Sequence, residues 1–180
     1  SFTVSLTNQP TASVIINFSS SNTAEGTVSQ ASLTFTSVNW NAPQAVTVTV
    51  IDDAIADGNQ NYSIITSAAS SSDANYNGYN PSDVSVTNID NDTAGFTISA
   101  ISGNTTESGG SATFTAKLNS EPTANVTIGI SSSDTSEGTV SPSSLTFNST
   151  NWDSAQTVVV TGVGDVVQDG NQSFNIITSP

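Results

Sequence analysis

Cysteine, histidine and methionine are absent from this 180-residue chain, and Lys117 is its only basic side chain against fifteen aspartates and glutamates. Each absence removes a class of chemistry. Without cysteine there are neither disulfides nor thiolate metal sites. Without histidine or cysteine there is no Ser-His or Cys-His nucleophile–base pair, and no glycine-rich phosphate loop is visible. A formal charge of −14 with a single cation excludes nucleic acid and anionic membranes as partners, because both are bound by clustered cations that displace counterions. No apolar run approaches the roughly 18 residues that a spanning helix needs, so no membrane insertion is expected. No signal sequence opens the chain, so any export signal lies outside this window. Only 9% of the residues are charged, so the acidity reflects missing bases more than abundant acids.

What the chain does have is serine, threonine and asparagine in abundance, and a long internal repeat. Ser1–Ala68 aligns without a gap on Thr113–Pro180 at an offset of 112 residues, with 37 of the 68 pairs identical. The shared blocks include Glu25-Gly26-Thr27-Val28-Ser29 with Glu137-Gly138-Thr139-Val140-Ser141, and Asp57-Gly58-Asn59-Gln60 with Asp169-Gly170-Asn171-Gln172. A period this long equals one small domain and exceeds solenoid repeats, so two domains in tandem are expected, at 1–92 and 93–180.

Hydrophobic residues alternate with period two, as in Phe2, Val4, Leu6, then Val14, Ile16, Phe18, then Val46, Val48, Val50, and no helical period is sustained. Short runs rich in Val, Thr, Ile and Phe, separated by Ser/Asn/Gly/Asp clusters, predict an all-β fold of tandem antiparallel, immunoglobulin-like β-sandwiches. In the second repeat, strands are expected at 95–99, 112–119, 125–131, around 144–147, 157–161 and 173–178. The first repeat adds a closing strand at 84–89. Repeat one therefore lacks the opening strand of such a sandwich and repeat two lacks the closing one. That pattern reads as a window on a longer chain, or as a permuted subunit that polymerises by strand exchange.

In a sandwich with this strand order, alternate turns share one pole, and most of the acids fall in those turns. Repeat one would gather Asp52, Asp53 and Asp57 with Asp90 and Asp92, and with Glu25 as a further candidate. Repeat two would gather Glu107, Asp165 and Asp169, with Asp134 or Glu137 as further candidates. Clustered carboxylates repel one another, and a hard cation removes the repulsion. Calcium, which takes oxygen ligands in flexible geometry, fits best. Any single Asp in a turn is more often a turn former than a ligand. Asp73 and Asp83, expected at the opposite pole, are read that way.

Three segments carry a family resemblance: "TTESGGSATFTAKL", "VTVIDDAIADGNQNYSI" and "VSVTNIDND". Together they resemble the Calx-beta domain of sodium–calcium exchangers and of long bacterial surface adhesins. The resemblance implies calcium as the bound ion, with Glu107, Asp52, Asp53, Asp57, Asp90 and Asp92 at acidic ligand positions. Departures are Asn91 in place of an acid, Asp57 in place of the usual Glu, and Gly164 where repeat one has Asp52. They imply fewer or weaker ions in repeat two.

The function expected is a non-catalytic, calcium-rigidified extender or filament shaft of a secreted bacterial surface protein. Its partners would be neighbouring repeats of the same chain or neighbouring subunits in a filament. The rival is a binding module for surface glycans, through Trp40, Trp152 or the loop bearing Tyr76 and Tyr79. Against that, Trp40 and Trp152 in Asn-rich turns read first as lids over the end of the core. A paired-carboxylate glycosidase is set aside because its acids would not recur in turns of both repeats.

Overall fold

Residues that alternate inward and outward along short Val-, Ile- and Thr-rich runs form strands because β-branched side chains pack well on a pleated surface and lose helical freedom. The computed structural model describes residues 1–179, and among them there is no helix. Their sixteen strands, all paired antiparallel, belong to two units. The first unit comprises 1–53 and 57–90; the second comprises 54–56 and everything from Asn91 onward. The fold is β-sandwich-like and all-β.

In the first unit the strands are β1 (Phe2–Val4), β2 (Val14–Ser20), β3 (Gly26–Val28), β4 (Ser32–Phe35), β5 (Gln44–Val46), β6 (Val48–Val50), β7 (Gln60–Thr66), β8 (Ser70–Ser71) and β9 (Val84–Asn88). One sheet runs β4-β2-β7-β9, with β8 also on β2. The remaining strands form two short pairs, β1-β5 and β3-β6. Inward residues of both sets meet in one cluster that includes Val14, Ile16, Phe35, Val46 and Ile64. Val84 and Val86 of β9 pack against its side.

The second unit repeats the plan with β10 (Phe96–Ile98), β11 (Ser111–Leu118), β12 (Val126–Ser132), β13 (Gly138–Ser141), β14 (Ser144–Phe147), β15 (Gln156–Gly162) and β16 (Ile176–Ser179). Its sheets run β10-β11-β15-β13 and β14-β12-β16. Phe114, Ala116, Val158 and Val160 from the first sheet share a core with Ile128, Ile130, Leu145 and Phe147 from the second. Every one of these lies at an inward step of its strand, which is why a one-residue slip of register would expose the whole set.

Most expected strands lie within a residue or two of the observed ones, but two differences are informative. The Glu-Gly-Thr-Val-Ser blocks form strands, β3 and β13, that the alternation does not reveal because each is short and begins on glycine. The strand expected at 173–178 starts only at Ile176, although its counterpart β7 starts at Gln60. The missing residues, Gln172–Asn175, correspond to the part of β7 that pairs only with β9. Trp152 packs on the second core, and its carbonyl accepts a hydrogen bond from the Leu118 N–H at 2.9 Å. Asp73 is buried, accepts the Thr11 and Asn75 N–H groups at 2.8 and 3.0 Å, and is a turn former as expected. Asp83 accepts the Thr66 N–H at 2.9 Å.

The glycines that open β3 and β13 are there for space. A methyl group on Gly26 would overlap the Tyr62 hydroxyl, and one on Gly138 would overlap the Phe174 ring. The tip of the aromatic ring thus abuts this glycine in both units. In the first unit this closeness leaves the buried Tyr62 hydroxyl with no hydrogen-bond partner, whereas Phe174 has no hydroxyl to satisfy. A buried unsatisfied hydroxyl costs on the order of 1–3 kcal/mol. Tyr62→Phe should therefore stabilise the first unit by about 1 kcal/mol in chemical denaturation. Gly26→Ala and Gly138→Ala should each cost roughly 1–3 kcal/mol through overpacking. A loss of stability in Tyr62→Phe would contradict this account of the contact.

Candidate metal centre

The turn between β12 and β13 is fixed by Asp134. Its carboxylate accepts the Ser136 N–H at 3.0 Å and the Ser136 hydroxyl, and its carbonyl accepts the Gly138 N–H at 3.1 Å. Such local side-chain bonds are what Asp offers a turn. They hold the Asp134 carboxyl below its ordinary range, the Ser136 hydroxyl contributing most. Asp134 is thus occupied with the backbone, and the turn presents the next acid, Glu137, at the start of β13. The Glu137 carbonyl accepts the Val163 N–H at 2.9 Å, which pins it beside the end of β15.

The loop after β15 supplies the other two acids. Asp165 accepts the Val167 N–H at 2.7 Å, and the Asp169 carbonyl accepts the Gln172 side-chain amide at 3.0 Å. Gly170 follows with φ of 79°, a left-handed conformation that glycine adopts without strain and that turns the chain back toward β16. As a result, one carboxylate oxygen from each of Glu137, Asp165 and Asp169 lies within 4.8 Å of the others. Among the described residues this is the one group of three acids so closely placed.

Glu107 approaches from a separate turn. Thr106 accepts the Gly109 N–H at 3.0 Å and, through its hydroxyl, the Gly110 N–H at 3.0 Å, closing a tight loop around Glu107. This loop lies directly on the end of β15, where a methyl group on Gly162 or Gly164 would overlap the backbone of Thr106 or Glu107. Gly164, which departs from the Asp52 of the first repeat, therefore has a structural reason: a side chain there would displace the loop that carries Glu107.

The charges register on Glu137. Its carboxyl is pushed above the ordinary glutamate range, first by burial and then by the negative charges of Asp169, Asp134, Asp165 and Glu107 in that order. Hence all four expected or candidate acids of this end act on one group, though Glu107 is not within the closest trio.

The equivalent positions in the first unit are arranged differently. Glu25, the counterpart of Glu137, is buried, and one carboxylate oxygen accepts the Asn88 side-chain amide at 2.9 Å. Asn88 also donates to the Ile51 carbonyl at 2.9 Å. Asp90 accepts the Gly58 N–H at 2.6 Å, and its own N–H goes to Asn59 at 3.0 Å, so it sits on the turn that contains Asp57. Asp52, Asp53 and Asp57 are exposed, and Asp92 is part of the second unit. The structure therefore joins Asp90 to the Asp57 turn and Glu25 to β9, without bringing three carboxylates of this unit together among the described residues.

The principal residue that sequence reasoning held only as a further candidate is Glu137. The signal that marks it is the identical Glu-Gly-Thr-Val-Ser block of both repeats, in which the acid precedes a glycine that an aromatic ring requires.

No protein-family model matches the chain, and no curated protein does either.

The electrostatics give a signed expectation. A carboxyl whose folded-state value is raised contributes stability that is complete below the unfolded value and lost as pH rises through the folded one. Without a cation, Glu137 therefore weakens the second unit at neutral pH. In chelator at pH 7, Glu137→Gln should melt at a higher temperature than the parent chain, and the difference should vanish below the ordinary glutamate range. Equal melting temperatures at pH 7 would contradict the repulsion.

Proposed function

We propose that this chain is a non-catalytic structural or adhesive repeat of a secreted bacterial surface protein, Calx-beta-like and immunoglobulin-like in its sandwiches, stiffened by calcium. The observation that carries the reading is the convergence of Glu137, Asp165 and Asp169 in turns at one end of the second unit. Oxygens that share one calcium at 2.3–2.6 Å can stand no more than about 5 Å apart, and this trio meets that limit. The donor set is also right in kind, since carboxylates on loops suit a hard cation that tolerates irregular geometry. Glu107, whose charge acts on Glu137, is the proposed fourth acidic ligand, with backbone carbonyls and water completing the shell. In the first unit, Asp52, Asp53, Asp57 and Asp90 are the proposed ligands.

What calcium would supply here is mechanical. The turn at Glu107, the turn at Glu137 and the loop at Asp165–Asp169 come from different parts of the chain, and one ion bound by all three would tie them into a single rigid end. A shaft built from many such repeats would project or connect other parts of the surface protein.

Two observations favour this reading over glycan binding. Trp152 is half-buried on the core, and the Tyr76 hydroxyl is committed to the Asn8 carbonyl at 2.5 Å. Of the aromatic residues on which the glycan reading relies, only Tyr79 is largely exposed, at 66%.

Because the ion binds the native fold and hardly binds the unfolded chain, saturating calcium should raise the melting temperature. At about a hundred times Kd the rise should be roughly 10–20 °C for a unit of this size, and chelator should reverse it. Asp169→Asn should abolish most of the second unit's response. A melting temperature indifferent to calcium and chelator would refute calcium stiffening.

A further inference from the structure

The turn between β8 and β9 in the first unit holds the chain's one Asn-Gly pair, Asn77-Gly78. That dipeptide has a chemistry of its own. The glycine nitrogen, with no Cβ beside it to block approach, can attack the preceding side-chain amide carbon and close an imide ring. The new bond joins the Gly78 nitrogen to Asn77 Cγ, the Cγ–Nδ2 bond breaks, and Nδ2 leaves as ammonia with the proton that the Gly78 nitrogen gives up. Water then opens the ring at one carbonyl or the other, leaving aspartate or isoaspartate in place of the asparagine. Both products add a negative charge, and the second also lengthens the main chain by one carbon.

The fold leaves this pair in water but withholds the nucleophile. Asn77 and Gly78 are both exposed. Yet the Gly78 N–H donates to the Ala69 carbonyl at 2.8 Å, and the Ala69 N–H donates to the Tyr79 carbonyl at 2.8 Å, so the nitrogen is held across the base of the turn. The Tyr76 and Asn77 N–H groups both donate to the Asp73 carbonyl, at 3.0 and 2.9 Å, which fixes the backbone leading into the pair. Gly78 itself has φ of 81°, a left-handed conformation that keeps this geometry without strain. Attack on Asn77 requires the Gly78 nitrogen to leave Ala69, so it proceeds only in the fraction of molecules whose turn is open.

The turn is clasped to the rest of the unit at Asp73. This residue is 4% exposed, and one carboxylate oxygen accepts the Thr11 N–H at 2.8 Å while the other accepts the Asn75 N–H at 3.0 Å. Thr11 lies between β1 and β2, as does Asn8, whose carbonyl accepts the Tyr76 hydroxyl at 2.5 Å. The Thr11 N–H first and the Asn75 N–H next hold the Asp73 carboxyl below its ordinary range, with no charged side chain contributing. At neutral pH the clasp is therefore ionised and closed.

We infer that Asn77 is a self-modification site, a slow deamidation whose rate is set by opening of the Asp73 clasp. The step runs one way. Isoaspartate separates the Asn77 and Gly78 N–H groups by an extra carbon, so the two donors no longer fit the Asp73 and Ala69 carbonyls together, and the turn of a modified molecule stays loosened. Every residue involved belongs to the first unit, and no cation enters the step.

The test compares the 180-residue chain with a synthetic peptide of residues 71–81, Ser-Ser-Asp-Ala-Asn-Tyr-Asn-Gly-Tyr-Asn-Pro, in the same neutral buffer. Mass spectrometry follows the conversion of amide to acid at Asn77, and hydrogen exchange of the Gly78 amide measures how often the turn opens. Conversion should be slower in the chain than in the peptide by at least about tenfold, and by the same factor as the Gly78 amide is protected from exchange. Asp73→Ala, with the β2 and β7 amides still protected, should speed both processes severalfold. Conversion as fast in the chain as in the peptide, a retardation out of step with Gly78 protection, or an Asp73→Ala chain that keeps its β2 and β7 protection and converts at the parent rate would each overturn the inference. If Asp73→Ala costs the unit its fold, the comparison of the parent chain with the peptide decides alone.

Discussion

Three carboxylates meet at one end of the second unit, in a chain whose only basic side chain is one lysine. That uncompensated repulsion is the constraint around which the local structure is arranged. The core cannot relieve it, because the inward residues are aliphatic and aromatic and the acids lie in the turns. Nor can the turns simply separate, since Asp134 fixes the first, Thr106 closes the second, and Gly162 and Gly164 hold that second turn against β15. The acids are therefore held near one another by turns that the sheets fix, and in the calcium reading proposed above a bound cation would relieve their repulsion.

The two units solve the same end differently. In the first, Asn88 of β9 gives Glu25 a neutral donor, and Asp90 takes the Gly58 amide, so two acids are absorbed into hydrogen bonds. In the second, Glu137 is pressed by its acidic neighbours Asp169, Asp134, Asp165 and Glu107. The same residue of the repeat is thus buried and bonded in one unit, and raised in proton affinity in the other.

The sheets were legible in the sequence because inward and outward residues alternate strictly along Val14–Phe18, Ala112–Leu118 and Val158–Val160, and the repeat confirms each assignment twice. Strands β3 and β13 were not legible, since three or four residues beginning on glycine carry no period. Of the site, Asp165 and Asp169 could be read from position in a turn, whereas the role of Glu137 depends on β13 pairing with β15 and bringing it to that loop. Gly164 looked like a lost ligand from its position alone; only the approach of the Glu107 turn supplies the steric reason for it.

The central claim concerns the charge state of one carboxyl, and NMR titration of the Glu137 side chain measures it directly. The account predicts a proton affinity above that of an ordinary glutamate in chelator, falling below it when calcium is added. An ordinary glutamate titration that calcium leaves unchanged would contradict both the repulsion and the ion proposed to relieve it.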